Sequence, residues 1–170
     1  MARRSSLAAK ARRVRLLILD LDGVLTDGSI YYSARGLEMK RFHAHDGYGV
    51  VRAREGGLKL AIISGRSSAI VTARAKDLRI TDLIQGADDK LQSAGDIRRR
   101  YGLEESELAF IGDDLFDLPL LRAVGFSAAP ADARPEVRRA VDYVTAARGG
   151  EGAVREVIDL ILRHSPGSAG

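Results

Sequence analysis

The chain has no cysteine. Disulfides and thiolate metal sites are therefore excluded, which fits a reducing compartment and a cytoplasmic protein. No apolar run approaches the roughly 20 residues that a bilayer-spanning helix needs. Aromatic residues make up only 5% of the sequence. The formal net charge is small, +4, and much of it sits at the start, in Arg3, Arg4, Lys10, Arg12, Arg13 and Arg15. No apolar signal-peptide core follows this basic head. Such a charge run can touch nucleic acid or acidic lipid, but its composition reads as a flexible solubilising tail over 1–13. Without it the body is near neutral, so neither nucleic acid nor a membrane is expected as a partner.

What remains is a chain of 170 residues with 45% hydrophobic residues, enough for one domain with a proper core. That domain is expected over 14–164, with a flexible end at 165–170. Its organising stretch is Val14 to Gly28. Leu16, Leu17, Ile18 and Leu19 form a short apolar run bounded by turn-formers, the pattern of a strand buried on both faces. Asp20, Asp22, Gly23, Asp27 and Gly28 follow at its carboxyl end. Two carboxylates where a buried strand runs out are costly unless something pairs with them, and a divalent cation does so.

Further along, Ser29 to Phe42 reads as a β-hairpin, with Ile30, Tyr31 and Tyr32 on one side of an Ala34-Arg35-Gly36 turn. A helix is expected from Tyr48 to Glu55, after the polar turn Ala44 to Gly47. Leu58 to Ile63 is a second core strand ending in Ser64-Gly65-Arg66, and Ser67 is placed to cap a helix that runs to Leu78. Ile80 to Gln85 reads as a strand. Lys90 opens a helix with Leu91, Ala94, Ile97 and Tyr101 on one stripe. Leu108 to Ile111 is a buried strand running into Gly112-Asp113-Asp114. A short helix over 115–124, a strand at Phe126 to Ala129, a helix from Ala131 to Ala140 and a short strand at Tyr143-Val144 complete the alternation. The last helix shows Val154, Val157, Ile158, Ile161 and Leu162 on one face. Strands alternate with helices throughout, so the expected fold is a three-layer, Rossmann-like α/β domain. Its sheet is mostly parallel, with a β-hairpin insertion and no cap domain.

In such a sheet the carboxyl ends of the strands share one edge, where ligands bind. That edge gathers Asp20, Ser64, Lys90 and Asp113. Hard oxygen donors in small number suit Mg²⁺, and a hydroxyl, a lysine and helix-start amides suit a phosphoryl group. The combination points to phosphoryl transfer.

Four segments carry a resemblance: Asp20 to Gly28 (DLDGVLTDG), Ile63 to Arg66 (ISGR), Lys90, and Gly112 to Asp117 (GDDLFD). In that order and spacing they resemble the motifs of the haloacid dehalogenase-like superfamily of phosphatases. The hairpin, Phe42 with Asp46 to Gly49, Gln85-Gly86 and Gly149 to Glu156 (GGEGAVRE) are similar to one branch of it, the 3-deoxy-D-manno-octulosonate 8-phosphate phosphatases. The resemblance implies Mg²⁺-dependent hydrolysis of that sugar-acid phosphate in lipopolysaccharide biosynthesis, by a homotetramer in which a neighbour closes each site. It implies that Asp20 is the nucleophile and that Asp22 is the general acid and then base, with its backbone carbonyl on the metal. Ser64 and Lys90 would hold phosphoryl oxygens and Asp113 would bind the metal, while Asp114 and Asp117 would support the metal's waters or orient Lys90. His43, Ala44, His45, Asp46 and Gly47, with Gly65, Arg66, Arg74 and Lys90, would meet the substrate. The chain departs from the pattern in one loop: Val50-Val51 stand where the family tends to have an Arg after Gly-x-Gly, and Arg52 follows. His43 stands where Asn is common.

A nine-carbon sialic-type acid 9-phosphate is a neighbouring substrate. A non-enzymatic phospho-acceptor of the receiver type also uses acids, a hydroxyl and a lysine around Mg²⁺. Its phosphorylated Asp, however, ends a later strand, where this chain has Ser64, and it has no use for Asp22. A dead relative kept as a binding subunit would have no need of intact Asp20, Asp22, Lys90 and Asp113.

Overall fold

A computed structural model describes residues 2–36 and 38–165. The elements, in chain order, begin with α1 (Ala2–Arg13), β1 (Leu16–Leu19), β2 (Tyr31–Tyr32) and β3 (Glu38–Met39). They continue with α2 (Ala44–Glu55), β4 (Lys59–Ser64), α3 (Ala69–Asp77), β5 (Asp82–Gln85) and α4 (Lys90–Tyr101). Then come β6 (Leu108–Ile111), α5 (Leu118–Ala123), β7 (Phe126–Ala129), α6 (Pro135–Ala140), β8 (Tyr143–Val144) and α7 (Ala153–His164). Six strands form one sheet in the order β5-β4-β1-β6-β7-β8, and every pairing in it is parallel.

β1 is central because its four residues are all buried. Side chains alternate along a strand. Leu17 and Leu19 join Val50, Ala53, Val71, Val154, Val157, Ile158 and Ile161 on one face, under α2, α3 and α7. Leu16 and Ile18 join Ala94, Ile97, Leu120, Leu121 and Val137 on the other, under α4, α5 and α6. The three-layer expectation therefore holds. Each fully buried Leu or Ile contributes about 1.5–3 kcal/mol through removal from water, so this short strand anchors both layers. Leu19 pairs with Ile62 on one side and Ile111 on the other, so β1 and β6 end level while β4 runs two residues further to Ser64. Asp20 still donates its N–H to Ile111 O at 3.0 Å, which seats it at the sheet's edge.

β2 and β3 pair antiparallel as the inserted hairpin, Tyr31 with Met39. Gly36 takes φ +71°, the left-handed turn conformation that glycine adopts most readily. Leu37 of the expected hairpin and 166–170 of the expected flexible end lie outside the described residues.

Five expectations are corrected. The basic head is a helix, α1, rather than a flexible tail. Leu7 and Ala11 pack toward the core, Lys10 pairs with Asp142, and Arg13 donates to Ser106 Oγ at 2.7 Å. Next, α2 starts at Ala44 rather than Tyr48, because extended His43 caps it through Nδ1, which accepts from His45 N. In addition, α3 starts after Ser68, not Ser67. Likewise, α6 starts at Pro135. The ring lacks an N–H and disfavours helical backbone in the preceding residue, so Arg134 stays extended and Ala131 to Arg134 form no helix. On α4, Leu91 is 42% exposed and leaves the predicted stripe, whereas Ala94 and Ile97 are buried.

Candidate active site

Asp20 leaves the end of β1 buried at the carboxyl edge. Lys90, the first residue of α4, is also buried, and its ammonium meets two carboxylates: Asp20 Oδ1 at 2.7 Å and Asp117 Oδ1 at 2.6 Å. Asp89 caps the helix by accepting from Gln92 N at 3.0 Å, which fixes where Lys90 begins. The other oxygen of Asp117 accepts from the backbone N–H groups of Asp113 (2.9 Å) and Asp114 (3.2 Å). Both oxygens of Asp117 are thus engaged, which makes it the post that holds Lys90 and the β6 loop. Asp114 caps the following 3₁₀ turn, Leu115–Asp117, and is exposed.

Acidic oxygens of Asp20, Asp113 and Asp117 lie within 4.8 Å of one another. One lysine faces three carboxylates, so negative charge is left over. The consequence is visible in their acidities. Burial, with Asp117 adding to it and Lys90 opposing, pushes the Asp20 carboxyl up to about 6. Burial, with repulsion from Asp20 and Asp117, pushes Asp113 up to about 8. An all-oxygen donor set with surplus negative charge fits a hard divalent cation such as Mg²⁺. Both oxygens of Asp117 are already engaged and one oxygen of Asp20 meets Lys90, so Asp113 and the second Asp20 oxygen are the ones left to hold it. Gly23 makes room for this arrangement. Its φ is +83°, and a Cβ there would stand 2.1 Å from Asp113 Oδ2.

The raised acidities predict a pH-dependent metal effect. A carboxyl that binds its proton more tightly folded than unfolded lowers stability as pH rises from the unfolded value near 4 to its folded value. Metal-free protein should therefore lose stability between about pH 4 and 8 from these two groups. Mg²⁺ should raise Tm progressively more across that window and by a constant amount above it. Melting curves with Mg²⁺ and with EDTA check this; a gain independent of pH contradicts it.

Ser64 is the last residue of β4 and is buried. Its Oγ accepts from Arg66 N at 3.2 Å, which leaves the hydroxyl hydrogen available. Gly65 lies under the exposed ring of Phe116. Arg66 is exposed, donates to Tyr32 Oη at 2.9 Å, and brings Nε to 3.8 Å from Asp22 Oδ2. The other Asp22 oxygen accepts from Lys40 Nζ at 2.6 Å.

The expected substrate loop, His43 to Gly47, is the first turn of α2. Ala44 and His45 are exposed, and the two imidazoles meet edge to face at 5.0 Å. Arg74 packs its guanidinium against Gly47 and 5.3 Å from the Phe42 ring, with its Nε buried and lacking a hydrogen-bond partner. A helix start beside a guanidinium is a ready anion site.

The carboxylate of Asp46, expected to meet substrate, is instead turned inward and 1% exposed. It accepts from Gly152 N at 3.2 Å and Arg155 N at 2.8 Å, so it caps α7 from a neighbouring helix. That cap fixes the Gly149-Gly150 loop, which lies directly on the catalytic-side turn. Gly150 N donates to Val24 O at 3.0 Å, and a Cβ on Gly149 would be 1.8 Å from Gly23 O. Asp46→Ala should cost about 2 kcal/mol by leaving two half-buried N–H groups without acceptors. Chemical denaturation measures it; a loss below about 0.5 kcal/mol would contradict the cap.

Arg52 does not replace the missing arginine of the loop, since it pairs with Asp159 on α7, as does Arg155. The sequence reading overlooked Lys40, Glu38, Tyr32 and Ser68. The signal was present: Glu38, Lys40 and Phe42 alternate with Met39 and Arg41 and so share one face of the hairpin.

Known proteins resemble this chain over most of its length. A model of the haloacid dehalogenase-like hydrolases matches residues 67–158. The chain is 47% identical over 154 residues to the 3-deoxy-D-manno-octulosonate 8-phosphate phosphatase KdsC of Escherichia coli K12, covering 91% of this chain and 82% of that one. Against the corresponding enzyme of Salmonella typhimurium it is 46% identical over 153 residues, covering 90% and 81%. The crystal structure of the Moraxella catarrhalis 3-deoxy-D-manno-octulosonate 8-phosphate phosphatase, in complex with magnesium, phosphate and a KDO molecule, superposes with a TM-score of 0.93 at 43% identity, covering 95% of this chain and 92% of that one. The cobalt-bound Haemophilus influenzae enzyme superposes with a TM-score of 0.88 at 40% identity, covering 91% of both chains. With these matches spanning its length and the acidic edge in place, the chain belongs to the haloacid dehalogenase-like hydrolase family.

Proposed function

We propose that the chain is a Mg²⁺-dependent phosphatase that hydrolyses 3-deoxy-D-manno-octulosonate 8-phosphate to the free sugar acid and phosphate, serving lipopolysaccharide biosynthesis in the cytoplasm. The observation that carries this is the buried Asp20–Lys90–Asp117 line, with Asp113 beside it, at the edge where three central strands end. Identity with the Escherichia coli phosphatase over most of the chain supports the substrate.

In this reading a carboxylate oxygen of Asp20 attacks phosphorus as the bond from phosphorus to the sugar oxygen breaks, forming an aspartyl-phosphate. Asp22 gives its proton to the departing sugar oxygen and then takes one from the water that releases phosphate. Lys90 and Ser64 hold the transferring oxygens, with Lys90 itself fixed by Asp117. Asp20, Asp113 and the Asp22 carbonyl would hold Mg²⁺, which would supply positive charge to offset the repulsion between the anionic nucleophile and the phosphate. Arg66 sits at the mouth. Arg74 and the α2 start, with His43, Ala44, His45 and Gly47, supply the anion site for the sugar carboxylate.

The hairpin leaves three large side chains uncovered: Tyr31, Tyr32 and Met39 are 49%, 67% and 64% exposed. Such a patch wants cover. Hairpins of neighbouring subunits provide it in a homotetramer, and the neighbour closes the open cleft. Sedimentation should show the tetramer at micromolar concentration; a fully active monomer would overturn this part.

Phosphate release from a panel of sugar-acid phosphates, with Mg²⁺ and with EDTA, tests the function. The eight-carbon substrate should be preferred and EDTA should abolish turnover. Preference for a nine-carbon acid 9-phosphate, or turnover untouched by EDTA, would reject the proposal.

A further inference from the structure

The hairpin turns two of its charges, Glu38 and Lys40, inward. The Lys40 side chain is 0% exposed, although it is a lysine on a short inserted ribbon. Enclosing an ammonium costs several kcal/mol unless carboxylates surround it. Two do: Asp22 Oδ1 at 2.6 Å and Glu38 Oε1 at 3.2 Å. The second Glu38 oxygen accepts from Ser68 Oγ at 2.6 Å, and Ser68 precedes α3. A polar line therefore runs from the start of α3 through Glu38 and Lys40 to Asp22. Asp22 itself is less well anchored. Its only other ion-pair partner among the described residues is Arg66, at 3.8 Å, beyond hydrogen-bond length. Lys40 is thus the group that sets the direction of this carboxylate.

We infer that Lys40 is a positioning residue for Asp22, and that Glu38 and Ser68 hold Lys40 in place to aim it. The inference rests on the reading of Asp22 as the acid that protonates the departing alcohol. Lys40 neither gives nor takes a proton in this step. It holds the carboxyl group where its proton can pass to the ester oxygen as the P–O bond breaks. Proton transfer is steeply dependent on such placement, and a small misalignment costs on the order of 10²-fold.

The test uses the whole Mg²⁺-loaded protein and a series of phosphate monoesters, from p-nitrophenyl phosphate to simple alkyl phosphates. kcat/KM covers the steps up to departure of the alcohol, so its dependence on leaving-group basicity reads the acid. A p-nitrophenolate leaves without a proton, whereas an alkoxide needs one. Lys40→Met should lower kcat/KM for alkyl esters about 10²-fold more than for p-nitrophenyl phosphate. Asp22→Asn should shift the same ratio at least as far, and adding Lys40→Met to it should change the ratio by less than about 3-fold. If Asp22→Asn steepens the dependence and Lys40→Met does not, the inference is overturned and the acid assignment stands. If neither steepens it, the acid assignment itself has failed. A uniform loss on all esters in Lys40→Met assigns Lys40 a purely structural role and also overturns the inference. Should Lys40→Met not fold, Glu38→Gln, which keeps its volume, decides. It should move the ratio about 10-fold in the same direction, and an unchanged ratio overturns the inference.

Discussion

Asp20→Asn should reduce phosphate release by about 10⁴-fold or more, to the level that binding and positioning alone sustain. The exchange keeps the shape of the side chain and removes the anion. An amide oxygen is a poor nucleophile toward phosphorus, so no aspartyl-phosphate forms. The protein should nevertheless fold, because Lys90 keeps Asp117 at 2.6 Å, and the crowding that raises Asp113 is relieved by loss of its charged neighbour. Two measurements check the claim. Turnover of the sugar-acid phosphate should vanish while Tm holds or rises. Beryllium fluoride should bond to Asp20 in the wild type and fail to do so in the variant. A variant retaining a tenth of wild-type activity would end the nucleophile assignment.

Asp117→Asn should be nearly as damaging, for a different reason. Asp117 is 1% exposed and accepts on both oxygens: Lys90 on one, two backbone N–H groups on the other. An amide has one acceptor and one donor side. Whichever way it turns, its NH₂ faces a donor, so either the ammonium or the loop N–H groups lose their partner. Breaking a buried charge pair from one side costs about 3–5 kcal/mol. Here Asp20 remains beside Lys90, so the lower figure, about 3 kcal/mol or roughly 10 °C in Tm, is expected. Activity should fall at least 10²-fold, because Lys90 and the Asp113 loop both shift. Unfolding curves and kcat read the two effects separately. A stable variant with wild-type turnover would show that Asp117 does not hold the lysine.

Asp46 and Lys40 show where sequence reasoning stops. Asp46 lies in a segment that reads as a polar turn and Lys40 in one arm of the hairpin, and both side chains are enclosed. Asp46 lies next to His45 in a stretch that resembles a substrate loop, yet its carboxylate caps a helix that begins more than a hundred residues later. Nothing local distinguishes a carboxylate facing ligand from one facing the N–H groups of α7. Lys40 could be assigned to a face of the hairpin by alternation, but which face turns inward depends on where the hairpin folds over the sheet's edge. The head of the chain fails for a related reason. Its arginines suggested solvation, whereas Leu7 and Ala11 find an apolar seat that only the assembled sheet and α7 create.

The strand ends were legible because they depend on covalent order and burial alone. The apolar runs at 16–19 and 108–111 have to lie inside, a parallel sheet brings their carboxyl ends to one edge, and Asp20 follows its run directly and Asp113 follows after Gly112. Period and spacing thus determined the three layers, the edge and the acidic pair. The tertiary structure decided which carboxylates remain free for a cation and which serve as posts. That choice depends on the few tenths of an ångström separating a hydrogen bond from a gap, and on buried groups that have to satisfy one another across distant parts of the chain.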